Sequence, residues 1–208
     1  YYQDWQTAIE TVSIPEELPL SHAYIAKHLT QLVPPNAILH FGILSSLRNW
    51  ELFELEPSVR CYSNVAGFGI DGDLSTFIGQ SVTSDVISFL IIGDLAFFYD
   101  MNIIGNRHIR NNIRIVLINN NGGGEFRLFT HTADSFGDSS NRHIAASGHF
   151  RESAEGWVRN NGFDYLAVRS KEEVATALDI LVKPAERPVL LEVFTSMKDD
   201  SNALEMII

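Results

Sequence analysis

The feature that most constrains this fold is a series of short strand-like segments that alternate with segments of helical pattern. The predicted strands lie at residues 37–41, 60–63, 86–92, 113–118, 165–168 and 189–194. The segments at 86–92 and 113–118 are apolar almost throughout, and strands that are apolar on both faces are typical of a parallel sheet covered on both sides. The sequence therefore predicts an α/β fold, a three-layer sandwich with a mostly parallel central sheet.

Helices are predicted between these strands. Ser21 is placed to cap a helix that ends near residue 32, before Pro34 and Pro35. Further helices are predicted at residues 46–54, 74–80, 141–148, 153–160 and 171–182, with a polar loop at 127–140. Residues 1–20 are predicted to form a lead-in strap that includes a short helix. Residues 21–208 are predicted to form one domain of a longer chain, since the first residue is Tyr1 rather than Met.

Composition excludes several classes of protein. The 208 residues include 26 acidic and 15 basic ones, a net charge of −11, so the chain lacks the basic surface that nucleic-acid binding needs. No apolar run reaches the roughly 18 residues that span a bilayer. The single cysteine, Cys61, is predicted to be an inert core residue, and it cannot form an internal disulfide. With one cysteine, a reducing and cytoplasmic compartment is expected.

A glycine-rich motif follows the second predicted strand. Gly67, Gly69 and Gly72 form the pattern G-x-G-x-x-G before a predicted helix, and Asp94 lies 22 residues beyond the last glycine. This spacing is similar to that of a nicotinamide dinucleotide site. That fingerprint normally opens its domain, whereas here a strand and a helix precede it. A dinucleotide site and a purely structural glycine turn both remain open at this point.

Polar residues also follow the two most apolar strands. Gly93 and Asp94 end one strand, and Asn120 and Gly122 follow the next, with Asp94 26 residues before Asn120. The carboxyl ends of parallel strands meet at one edge of a sheet, where ligands bind. A carboxylate, an amide oxygen and a glycine carbonyl are hard ligands that suit Mg²⁺ bound to phosphate oxygens. The alternative is that Asp94 caps a helix and the Asn/Gly run forms a turn.

These segments and their flanks resemble one family of thiamine diphosphate enzymes. The motif is a Gly-Asp pair followed about 25 residues later by Asn-Asn after an apolar strand, as at Gly93-Asp94 and Asn119-Asn120. The matching flanks are Ser63-Asn64, Gly69-Ile70-Asp71-Gly72, Leu74-Ser75-Thr76, Leu95-Ala96-Phe97, Asp100-Met101-Asn102, Asn121-Gly122-Gly123 and Phe126. From about residue 20 onwards, the chain resembles the C-terminal, diphosphate-binding domain of 2-succinyl-5-enolpyruvyl-6-hydroxy-3-cyclohexene-1-carboxylate synthases, the MenD-type enzymes of menaquinone biosynthesis.

The resemblance implies a site for thiamine diphosphate and Mg²⁺ (or Mn²⁺). Asp94, Asn120 and the Gly122 carbonyl would hold the cation against the diphosphate. Ile70 would wedge the cofactor into its bent conformation, a task that suits a stiff, β-branched side chain. The other implied cofactor-binding residues are Gly69, Gly93, Leu95 and Ala96, and the implied substrate-binding residues are Arg48 and Phe126.

The resemblance also implies a reaction and its partners. A transferase reaction would decarboxylate 2-oxoglutarate and add the resulting carbanion to isochorismate. The activating glutamate would belong to a pyrimidine-binding domain of a partner subunit in a homo-oligomer, a dimer or a tetramer. No catalytic acid or base is therefore expected in this chain, which should be inactive alone. Val65 and Leu44 stand where the family usually has Arg and Ser, which leaves the acceptor open.

Two further functions remain open. One is a thiamine diphosphate-dependent decarboxylase or carboligase with a different acceptor. The other is a non-catalytic oligomerisation domain of the same fold, although an interface has no need of Asp94 and Asn120. The histidines show no metal-binding spacing and are expected to be solvated or locally capped; they are His108, His131, His143 and His149.

Overall fold

The centre of the molecule is a parallel β-sheet. The computed structural model describes residues 1–10, 13–65, 69–144, 146 and 148–207. Its strands are β1 (Ile38–Phe41), β2 (Arg60–Ser63), β3 (Ser88–Gly93), β4 (Ile113–Asn119), β5 (Asp164–Val168) and β6 (Val189–Phe194). They lie in the order β2-β1-β3-β4-β6-β5, and every neighbouring pair is parallel. The predicted strands and the α/β fold class are confirmed.

Helices connect the strands along the described part of the chain. The α-helices are α1 (Tyr2–Glu10), α2 (His22–Leu29), α3 (Ser45–Trp50), α4 (Asp73–Ser81), α5 (Asp94–Asp100), α6 (Glu155–Asn160), α7 (Lys171–Val182) and α8 (Met197–Ile207). Shorter 3₁₀ segments cover Met101–Gly105, Gly124–Arg127 and Asp134–His143. The predicted N-cap is present, because the Ser21 hydroxyl accepts a hydrogen bond from the Tyr24 N–H at 3.1 Å. Among the described helices, none has the length and apolar character that crossing a membrane requires.

The alternation of side chains along each strand divides the core into two layers. In β3, Phe89 and Ile91 belong to one apolar cluster, whereas Leu90 and Ile92 belong to the other. Helices α2, α3 and α7 contribute to the first cluster, and α4, α5 and α6 to the second. Successive residues of a strand point to opposite faces, so strands that are apolar throughout need helices on both sides. This is the three-layer sandwich that the sequence predicts.

The helix predicted at residues 141–148 is wrong. The structure instead has the 3₁₀ segment Asp134–His143, which also covers part of the predicted loop; residues 145 and 147 lie outside the described residues. The serine hydroxyls here donate to nearby backbone carbonyls, as Ser139 does to Phe136 and Ser140 to Gly137. Such local bonds compete with a regular α-helix. Gly137 adds a positive φ of 56° within the segment.

Cys61 lies on the surface, so its predicted place in the core is wrong. It belongs to β2, which pairs only with β1 and forms one edge of the sheet. Residues 60–62 of this strand are exposed. An edge strand lacks a neighbour on one side and is covered less fully than a central strand.

The order of the strands locates the natural binding crevice. The connection after β1 leads to β2 on one side, and the connection after β3 leads to β4 on the other. In open α/β sheets, ligands bind beyond the carboxyl ends of the strands where the direction of the connections reverses. This point lies between β1 and β3, which end at Phe41 and Gly93.

Candidate functional site

A cleft that is open to solvent lies at this crevice. Most residues predicted to bind the cofactor line it: Ile70, Gly93, Asp94, Leu95, Ala96, Asn120 and Gly122. The lining also includes the turn after β1, residues 42–46, and the start of α2 at His22. Three predicted site residues, Gly69, Arg48 and Phe126, are not among the described residues that line the cleft. Gly67 and Phe68, from the glycine motif, lie outside the described residues.

The Asp94 side chain forms a hydrogen bond between the segments that follow two neighbouring strands, β3 and β4. It follows β3 directly, and it is 1% exposed. One carboxylate oxygen, Oδ1, accepts a hydrogen bond from the Leu95 N–H at 2.7 Å; the other, Oδ2, accepts one from the Gly122 N–H at 2.9 Å. Burial raises the pKa of the Asp94 carboxyl, an effect that the His149 contact and these N–H donors oppose. The two polar groups that follow β3 and β4 therefore form one site.

Asn120 presents an unpaired oxygen to this site. Its side-chain N–H₂ group donates to Oδ2 of Asp200 at 2.8 Å. Its Oδ1 is buried and has no hydrogen-bond partner among the described residues. A buried polar atom without a protein partner is available to a water, an ion or a ligand, and among such atoms this one belongs to a residue that lines the cleft. The amide oxygen is a hard donor of the kind that Mg²⁺ binds.

The available donors fit a cation that is also held by a phosphate. No cluster of three or more His, Cys, Asp or Glu side chains suitable for a metal occurs among the described residues. The lining of the cleft instead offers the Asp94 carboxylate, the Asn120 oxygen and the backbone of residues such as Gly122, whereas its other carboxylate, Glu125, is paired with Arg48. With a single negative protein ligand, the cation retains enough charge to attract an anionic group. At Gly93, an added Cβ would meet nothing within 4 Å, so the cleft has room for close approach of a ligand.

His149 is a neighbour of Asp94 that sequence reasoning did not identify. Its side chain is 7% exposed, and Nε2 lies 3.1 Å from Oδ2 of Asp94. The ring also contacts Phe98 edge-on, with the ring centroids 5.2 Å apart. The expectation of a solvated histidine is therefore wrong for this residue, whereas local capping is present, since its Nδ1 accepts a hydrogen bond from the Arg151 N–H at 3.1 Å. No sequence signal pointed to the contact, since 55 residues separate the two side chains.

The predicted substrate residues lie beside the cleft. Arg48 in α3 forms a two-point ion pair with Glu125, which itself lines the cleft, with nitrogen–oxygen distances of 2.7 and 3.3 Å. Phe126 follows Glu125, and its ring contacts His131. Leu44, also in the lining, has φ 63°. A positive φ is strained for a leucine, and such strain is concentrated at functional sites.

Comparison with known proteins identifies relatives along almost the whole chain. No protein-family model matches it. It is 34% identical over 207 residues to a 2-succinyl-5-enolpyruvyl-6-hydroxy-3-cyclohexene-1-carboxylate synthase of Bacteroides fragilis, which covers 99% of this chain and 36% of the relative. The synthase of Phocaeicola vulgatus is 37% identical over 203 residues, covering 96% and 35%. That of Christiangramia forsetii is 35% identical over 188 residues, covering 90% and 32%.

This chain thus spans about a third of the length of the curated relatives it matches. The similarity includes the strands and the cleft, since the aligned region covers nearly every residue of the chain. The chain belongs to the family of 2-succinyl-5-enolpyruvyl-6-hydroxy-3-cyclohexene-1-carboxylate synthases.

Proposed function

We propose that this chain is the diphosphate-binding part of a thiamine diphosphate-dependent synthase. Residues 21–208 would form that domain and residues 1–20 a strap leading into it, both within a longer chain. The pyrimidine-binding domain of a partner subunit in a homo-oligomer would complete the cofactor pocket. The observation that carries this proposal is the meeting of Asp94, Asn120 and Gly122 in one cleft, with the Asn120 oxygen unpaired.

The residues of the cleft have distinct proposed roles. Asp94, Asn120 Oδ1 and the Gly122 carbonyl would hold Mg²⁺ or Mn²⁺ against the diphosphate. Ile70, half-buried against the α4–α5 layer, would serve as the fulcrum for the bent cofactor. Four residues, Gly69, Gly93, Leu95 and Ala96, would bring backbone close to the cofactor. Thiamine diphosphate, when bound, supplies the chemistry of decarboxylation and carbon–carbon bond formation, whereas the protein supplies position and electrostatics.

The proposed substrates are 2-oxoglutarate as donor and isochorismate as acceptor. Arg48 would bind a carboxylate of the acceptor through its planar guanidinium. Phe126 would line the substrate side of the site. The departures at Val65 and Leu44 keep a different acceptor as the alternative, since each replaces a polar residue that the family usually has. Val65 is exposed and offers no charge to a dicarboxylate.

Turnover of the full-length protein tests this function. With thiamine diphosphate and Mg²⁺, it should release CO₂ from 2-oxoglutarate, and product analysis with isochorismate would identify the acceptor. The absence of CO₂ from every 2-oxo acid tried would contradict the proposal.

Titration calorimetry with thiamine diphosphate and Mg²⁺ separates an enzyme from a non-catalytic oligomerisation domain. A change in NADH fluorescence on binding would favour the dinucleotide alternative. The 208-residue chain alone should show little or no turnover.

We expect Arg48→Ala to raise the acceptor KM about tenfold, because a charged hydrogen bond contributes roughly 1.5–3 kcal/mol. Release of CO₂ in the absence of acceptor should change little, because the cation site is left intact. Glu125→Gln should weaken the ion pair that now engages Arg48 and shift the same KM. Steady-state kinetics with varied acceptor give these values.

Arg110→Ala is the control for loss of an arginine. Arg110 forms an exposed pair with Asp85, and neither residue lines the cleft. This variant should keep the acceptor KM of the parent protein. An unchanged KM in Arg48→Ala would remove Arg48 from the acceptor site.

A further inference from the structure

Asp200 is a buried carboxylate outside the lining of the cleft that contacts the cation site indirectly. It lies in the first turn of α8 and is 5% exposed. Its Oδ1 accepts a hydrogen bond from the His22 N–H at 2.8 Å. Its Oδ2 accepts one from the Asn120 N–H₂ group at 2.8 Å and one from the Thr195 hydroxyl at 3.1 Å. One side chain thus connects α8 with α2 and with the residues that follow β4 and β6.

The Asn120 amide has two chemically different ends, and only one of them binds a cation. Which atom faces the cleft, the amide oxygen or the N–H₂ group, depends on the hydrogen-bond partner of the opposite end of the amide. An ionised carboxylate only accepts hydrogen bonds, so Asp200 can pair with the N–H₂ group and not with the oxygen. The amide oxygen is thereby left buried and unpaired at the cleft.

Gly124 lies against the nitrogen end of the same amide. A Cβ added at Gly124 would lie 2.8 Å from the Asn120 side-chain nitrogen, closer than such atoms approach in proteins. The absence of a side chain at this position makes room for the amide between the glycine turn and α8. The glycine therefore makes room for the amide, and the hydrogen bond to Asp200 determines which end of the amide faces the cleft.

We propose that Asp200 is a positioning residue that holds the Asn120 amide with its oxygen towards the cation, an inference that rests on the proposed function. The residue acts through Asn120 and does not itself line the cleft. Carboxylates that bind the far side of a metal ligand also increase its basicity, and their loss typically lowers metal affinity about 10–100-fold. Asp200 would therefore strengthen as well as orient the amide ligand.

An exchange of the two side chains distinguishes positioning from general structural support. In D200N, the introduced amide turns a donor towards the Asn120 N–H₂ group, and Asn120 is expected to rotate its oxygen away from the cation. Affinity for Mn²⁺ should fall about tenfold. In the N120D background, the same D200N change supplies a donor to the new carboxylate and leaves one of its oxygens free. There it should raise Mn²⁺ affinity rather than lower it.

Mn²⁺ binding is measured on the full-length protein by the electron paramagnetic resonance signal of free Mn²⁺, at fixed thiamine diphosphate. The control is D199N, because the Asp199 carboxylate accepts a hydrogen bond from the Ser196 hydroxyl at 2.7 Å, whereas the Asn120 amide pairs with Asp200. This variant should bind Mn²⁺ as the parent protein does. Thermal unfolding of each variant accompanies the titrations, so that a loss of fold is recognised.

The sign of the D200N effect in the two backgrounds decides the inference. A loss of Mn²⁺ affinity on D200N in the parent protein, with a gain on D200N in the N120D background, supports positioning by Asp200. An equal loss in both backgrounds identifies a purely structural residue and overturns it, as does D200N affinity within twofold of the parent protein. If the parent protein binds no Mn²⁺ with thiamine diphosphate, the proposed function fails and the inference falls with it. Binding by the parent with no change in D200N overturns the inference alone.

Discussion

Replacement of Asp94 by alanine is expected to abolish metal-dependent binding of thiamine diphosphate by the full-length protein. Asp94 lines the cleft, and one of its carboxylate oxygens accepts a hydrogen bond from the Gly122 N–H. Removal of this charge leaves a divalent cation with neutral oxygens, since the other carboxylate of the lining, Glu125, is paired with Arg48. The affinity should fall at least about 100-fold, equivalent to about 2.7 kcal/mol. Titration calorimetry with thiamine diphosphate in saturating Mg²⁺ measures the loss.

Two further variants make this experiment specific. Asp94→Asn keeps the size of the side chain but loses the charge, so it should show most of the same loss. Asp179→Ala serves as the control, since Asp179 is an exposed residue of α7 that pairs with Lys183, the residue after the helix. It should bind the cofactor as the parent protein does. Retained affinity in Asp94→Ala would remove this residue from the cation site and leave only its hydrogen bonds with the Leu95 and Gly122 N–H groups.

The sheet was predictable because its signal is local. Each central strand carries apolar side chains on both faces, a pattern visible in a few consecutive residues such as 113–118. The order of the strands is a different matter, since it depends on contacts between distant segments. Cys61 illustrates this limit: β2 resembles any short strand, and only its place at the edge exposes the thiol.

The residues that follow the strands were also predictable, for a geometric reason. Gly93 ends β3, and Asp94 and Asn120 come directly after β3 and β4. Parallel strands bring their carboxyl ends together. Sequence patterns alone left open whether Asp94 caps a helix or binds a cation. The family resemblance favoured the cation. The buried, unpaired Asn120 oxygen supports the same choice from independent physical grounds.

The neighbours of these residues were not predictable in the same way. Asp200 reaches Asn120 across 80 residues, and Glu125 reaches Arg48 across 77. These contacts depend on how α8 and the glycine turn pack against the sheet. Asp200 is next to another acid, Asp199, and nothing in the sequence distinguishes the buried carboxylate from a solvated one. Such supporting contacts become visible only when the whole chain is folded.

Gly122→Ala is the second change expected to have a large effect. Gly122 has φ 155°, a conformation that residues with a side chain rarely adopt. An added Cβ would lie 3.0 Å from the Ala146 carbonyl oxygen and 3.1 Å from the backbone of Gly148. Strain of this kind costs about 1–3 kcal/mol, and relief requires movement of the loop that carries the proposed carbonyl ligand. Cofactor affinity should therefore fall about 100-fold at the upper end of that cost.

The matched control is Gly156→Ala in α6, where an added Cβ meets nothing within 4 Å. Alanine is the better helix former, so this variant should keep both the stability and the cofactor affinity of the parent protein. Calorimetric titration with thiamine diphosphate and Mg²⁺, together with thermal unfolding, separates a displaced ligand from a damaged fold. Full affinity in Gly122→Ala would show that the Gly122 carbonyl does not hold the cation. A displaced carbonyl should instead lower the affinity while unfolding stays near that of the parent, because the strained turn lies at the cleft and outside the two apolar layers.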